Sequence, residues 1–60
     1  MDKTVFELLN DHINKELYSA YLYLDMANFY SKKGLDGFAN WYEIQAKEEQ
    51  DHAMLMYRYL

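Results

Sequence analysis

Phe29-Tyr30-Ser31-Lys32-Lys33-Gly34-Leu35-Asp36 is the stretch in which a long helical pattern stops and a second one starts, and its reading decides the fold. Lys32 and Lys33 put two cations in a last helical turn, where the helix dipole favours positive charge. Gly34 follows at the position that most often takes left-handed dihedrals to end a helix. Asp36 can cap the helix that comes next. A connection covering about residues 34–36 is short enough to force antiparallel neighbours, so helices over about 4–33 and about 36–60 are expected to fold back on each other as an all-α hairpin.

Upstream of the turn nothing breaks a helix back to Thr4. Thr4-x-x-Glu7 can form a capping box, with Asp2 as a competing N-cap. Leu9, Ile13, Glu16, Ala20, Tyr23, Ala27 and Tyr30 alternate spacings of four and three, which keeps them on one helical face. Downstream, Phe38, Tyr42, Gln45, Glu49, His52, Met56 and Tyr59 repeat the pattern and define the expected facing stripe. Tyr18, Tyr21 and Leu22 point away from the partner helix, so the first helix is apolar on more than one side and calls for cover from a second hairpin or a neighbouring subunit. Tyr57-Arg58-Tyr59-Leu60 is still in helical phase with no stop signal, which reads as a helix cut rather than finished.

Composition narrows the function. Sixty residues allow one domain, and a domain of that size usually needs a disulfide, a metal or oligomerisation to be stable. With no Cys, disulfides are excluded. A net charge of -4 and no basic run longer than Lys32-Lys33 argue against nucleic acid or an anionic membrane as partner and favour small cations. No signal peptide pattern and no apolar run of membrane-spanning length is present, so a cytoplasmic location is expected.

The stripes carry an anomaly. Glu16, Glu49 and His52 fall where the pattern expects core, and carboxylates are rarely buried unless paired or bound to a cation. Glu16 lies 18 residues before Gly34, and Glu49 and His52 lie 15 and 18 after it, so an antiparallel hairpin sets all three at one level. Glu49 and His52, at i and i+3, share a face and can offer a carboxylate oxygen and an imidazole nitrogen to one ion. Mixed oxygen and imidazole donors without thiolate suit iron or manganese ahead of zinc, and disfavour calcium and magnesium.

A lone Glu-x-x-His in a helix is usually a solvated surface pair. Three converging placements in apolar stripes reverse that reading. His12, four residues before Glu16, reads as an exposed or capping histidine and not a ligand. Glu48 borders the stripe, either as an outer acid of the site or as an ordinary solvated residue. Tyr23 lies two turns from Glu16, where its hydroxyl can bond a ligand or give up an electron, or the ring can simply pack. Met54 and Met56 read as core filler.

Glu16-Leu17-Tyr18-Ser19-Ala20-Tyr21-Leu22-Tyr23-Leu24, Gly34-Leu35-Asp36-Gly37-Phe38-Ala39-Asn40-Trp41 and Ala46-Lys47-Glu48-Glu49-Gln50-Asp51-His52-Ala53 together resemble the first two helices of bacterial non-haem ferritins. The resemblance implies half of a ferritin-like four-helix bundle, with the third and fourth helices outside these 60 residues. It implies that Glu16, Glu49 and His52 form the first iron site of a di-iron ferroxidase centre, Glu49 bridging to a second iron, with Tyr23 beside it. Fe(II) oxidation by O2 or peroxide, ferric oxyhydroxide storage and a 24-subunit shell are what the family leads one to expect. Gln50 stands where haem-containing relatives carry a ligating methionine, so no haem is expected. Two other readings stay open. One is a self-dimerising two-helix di-metal redox module without a cage, and the other is an inert interaction hairpin. Alone, the chain is expected to be molten or aggregating unless it oligomerises.

Overall fold

A computed structural model describes residues 2–60. It contains two α-helices, α1 (Lys3–Lys32) and α2 (Asp36–Tyr59), folded antiparallel as the all-α hairpin expected from the turn. Its Cα extents are 48 × 13 × 9 Å, and the long axis matches the ~45 Å rise of a 30-residue helix.

The turn is built by hydrogen bonds that a glycine makes possible. Gly34 has φ +75°, its N–H donates to Ser31 O at 3.0 Å, and the Leu35 N–H donates to Tyr30 O at 3.0 Å. These two bonds satisfy the carbonyls orphaned at the end of α1 in the Schellman arrangement. At the other end Asp2, not Thr4, caps α1. The Asp2 carboxylate accepts from the Thr4 N–H at 2.7 Å and from the Val5 N–H at 3.4 Å. With Thr4 already inside the helix, the Thr4-x-x-Glu7 box does not form. Asp36 is likewise not a cap. Leu35 occupies the N-cap without a side-chain bond, and Asp36 is the first residue of α2, where its charge still complements the helix N-terminus.

The core is narrower than the stripes suggest. Ile13, Ala20 and Ala27 on α1 and Ala39, Ala46 and Ala53 on α2 are its buried residues. Each set recurs every seven residues, and the sets are equidistant from Lys33, so Ala27 lies level with Ala39, Ala20 with Ala46 and Ile13 with Ala53. Subtracting the ~4.6 Å Cα diameter of one helix from the 13 Å extent leaves axes about 8 Å apart, the close end of helix packing. Alanine permits that approach. The seam on α2 therefore runs through Ala39, Tyr42, Ala46, Glu49, Ala53 and Met56. Phe38, His52 and Tyr59, expected on the facing stripe, are rotated out to its exposed flank. Met54 is exposed and fills no core.

Large apolar groups stay outside the seam. Leu8, Tyr18, Tyr21, Trp41 and Leu55 are all more than half exposed. The accessible area of 4763 Å² exceeds the roughly 4,200 Å² expected of a compact monomer of this mass. No helix among the described residues is long and apolar enough to cross a membrane.

Two substitutions test this account. A Cβ on Gly34 meets no atom within 4 Å, so Gly34→Ala is opposed by backbone conformation alone and should cost about 1–2 kcal/mol. Ala46 is 1% exposed, and Ala46→Leu should cost about 1–3 kcal/mol by forcing the helices apart. Urea unfolding followed by circular dichroism reads both, and an Ala46→Leu midpoint equal to that of the parent would contradict the close seam.

Candidate metal centre

Glu16 and Glu49 lie one heptad farther from the turn than Tyr23 and Tyr42, whose rings contact at 6.0 Å between centroids. The same helical phase that pairs the tyrosines pairs the carboxylates. The structure brings Glu16, Glu49 and His52 together, one donor atom from each lying within 4.8 Å of the others. Side-chain rotations of about 1 Å close such a spread to the separations of roughly 3–4 Å set by metal–ligand bonds of about 2 Å.

The two oxygens of Glu16 have different surroundings. Oε2 is buried and has no hydrogen-bond partner. His52 Nδ1 stands 3.6 Å away, beyond hydrogen-bonding distance. Oε1 contacts His12 Nε2 at 3.0 Å, a bond in which Nε2–H donates in the tautomer that carries its proton there. The lysines nearest in sequence are engaged elsewhere: Lys15 pairs with Asp11 at 3.2 Å and Lys47 with Asp51 at 3.6 Å. Among the described residues no Lys or Arg neutralises Glu16 or Glu49. A buried carboxylate oxygen without a partner is costly, and a bound cation would remove that cost. The donor set of two carboxylates and one imidazole fits a borderline or hard transition-metal ion.

The site is less enclosed than its sequence pattern suggests. The Glu16 side chain is 18% exposed and that of His52 is 56% exposed, while Glu49 is half-buried. Core burial belongs to Ile13 and the alanines, and the ligand candidates line one edge of the seam. Glu48 is exposed and outside the cluster. Tyr23 is half-buried against Tyr42, and among the described residues no hydrogen bond links its hydroxyl to Glu16, Glu49 or His52. His12, expected to be an exposed or capping histidine and not a ligand, is exposed and bonds Glu16. Its i,i+4 spacing to Glu16 was the available signal, since residues four apart share a helix face.

Residues 6–60 match the family of ferritin-like domains. Over all 60 residues the chain is 40% identical to "Bacterial non-heme ferritin" of Staphylococcus aureus (strain USA300), and 40% identical to the protein of the same name from Staphylococcus epidermidis. In both cases the match takes in the whole chain and 36% of the relative, so the chain spans about a third of the length of these curated relatives. No solved structure matches it at a significant level. The family match over nearly the whole hairpin, with the converging carboxylates and imidazole at its centre, establishes that the chain belongs to the ferritin-like domain family.

Proposed function

We propose that this chain supplies one half of an Fe(II)-oxidising di-iron centre in a cytoplasmic iron-storage protein. The observation that carries the reading is Glu16 Oε2, buried without a hydrogen bond and 3.6 Å from His52 Nδ1, in a residue that clusters with Glu49 and His52. The names of the relatives, bacterial non-heme ferritins, supply the metal.

Iron is the substrate here. Glu16 and His52 complete one iron position, and the second oxygen of Glu49 is free to bridge to a neighbouring one. Three donors suffice for one ion, so the remaining carboxylates of a second position come from outside these residues. Carboxylates stabilise Fe(III) over Fe(II) and so favour the oxidised product. Each Fe(II) gives one electron to O2 or peroxide, and ferric oxyhydroxide accumulates inside a shell, for which the family's 24-subunit assembly is the expected form. A net charge of -4 helps to draw cations in. Tyr23 stands one heptad from the carboxylates, in position to donate an electron or to pack. Haem has no part in the proposal, because Gln50 follows Glu49.

The exposed apolar faces support a requirement for cover, either by two further helices, giving a four-helix bundle, or by a second hairpin. In the latter case two chains bring two Glu and two Glu-x-x-His motifs, a known di-metal carboxylate ligand set.

Anaerobic Fe(II) titration of the chain followed by admission of air tests the proposal. Saturable Fe(II) binding and rapid oxidation are expected, with Glu49→Ala reducing the oxidation rate at least about tenfold, at the lower end of losses seen when metal-site groups are removed. An unchanged rate in Glu49→Ala rejects the assignment. Sedimentation of the iron-loaded protein separates a shell from a two-hairpin assembly.

A further inference from the structure

We infer that His12 is a positioning residue that fixes which oxygen of Glu16 meets the metal. The inference rests on the reading of Glu16, Glu49 and His52 as ligands, and goes beyond it by assigning a role to a histidine outside that set.

His12 and Glu16 are one helical turn apart on the same face of α1, and His12 Nε2 reaches Oε1 at 3.0 Å. That bond satisfies one oxygen and leaves the other, Oε2, buried without a hydrogen bond and 3.6 Å from His52 Nδ1, in a residue that clusters with Glu49 and His52. The carboxylate is therefore asymmetric before any ion arrives. Without the His12 bond the Glu16 side chain could turn Oε1 inward, bind through both oxygens or swing toward solvent. With it, Oε2 alone is directed at the ion. Groups that hydrogen-bond a ligating carboxylate orient it and raise metal affinity in this way. The His12 side chain is 58% exposed, so replacing it removes the bond without opening a core cavity.

Anaerobic titration of the chain with Co(II), read by its visible ligand-field bands, tests this without any oxidation step. Helicity measured by circular dichroism confirms that each variant folds. His12→Ala should weaken Co(II) binding about 10- to 100-fold. His12→Gln, whose amide N–H can still donate to Oε1, should restore affinity to near the parental value with unchanged bands. Parental affinity in His12→Ala overturns the proposal. So does a His12→Gln variant that binds as weakly as His12→Ala with altered bands, which would make the imidazole itself a ligand. Co(II) binding by the parent that does not depend on Glu49, tested with Glu49→Gln, would instead show that the underlying metal site is wrong, and the role of His12 would fall with it.

Discussion

The close approach of the two helices along an alanine seam is the constraint on which the rest of the structure depends. Axes about 8 Å apart favour small side chains between them, and Ile13, opposite Ala53, is the one larger residue in the buried contact among the described residues. Ile13, Ala20, Ala27, Ala39, Ala46 and Ala53 form the contact, and the aromatic groups and the carboxylates lie at its edges. The tyrosines near the turn, the carboxylates at mid-length and Leu9 with Met56 beyond them are successive half-buried pairs along one edge. The metal candidates thus occupy one rung of a ladder whose other rungs are apolar or aromatic.

Near the turn that ladder is filled by rings. Tyr30 stacks on Tyr42 with centroids 5.6 Å apart and planes 7° from parallel, and Tyr42 also meets Tyr23 and, nearly perpendicular, Trp41. Such contacts contribute beyond their buried area. They hold the helix phase firmly between the Gly34 turn and the carboxylate level, so that a site built from two separate helices keeps its register. The rings are satisfied by their own contacts, whereas at the next rung Glu16 Oε2 is buried without a hydrogen bond, 3.6 Å from His52 Nδ1. A hairpin whose exposed surface is rich in leucine, tyrosine and tryptophan and whose seam is mostly alanine has little core of its own.

Much of this was legible in the residues themselves. Gly34 after two lysines gave the turn, and counting from it gave the level of Glu16, Glu49 and His52. The helix ends were less legible, because Asp2 and Thr4 both satisfy the rules for an N-cap and only the path of the chain chooses between them. The face of α2 was misjudged for a related reason. The alternating spacing that includes Tyr42, Glu49 and Met56 also takes in Phe38, His52 and Tyr59, whereas the packing buries the smallest residues, one position away at Ala39, Ala53 and their heptad partner Ala46. Periodicity fixes the spacing of a face; which of two adjacent faces is buried depends on how near the partner helix comes.

The same distinction divides the site. The sequence by itself determined the antiparallel pairing and the common level of three candidate metal ligands, because helix rise and a short turn leave no freedom in either. Only the tertiary structure decided that Glu16 has one oxygen held by His12 and the other buried without a partner, and that His52 lies on an open flank. Those features follow from side-chain rotations and from the distance between two helices, and neither is encoded in the spacing of residues along one of them.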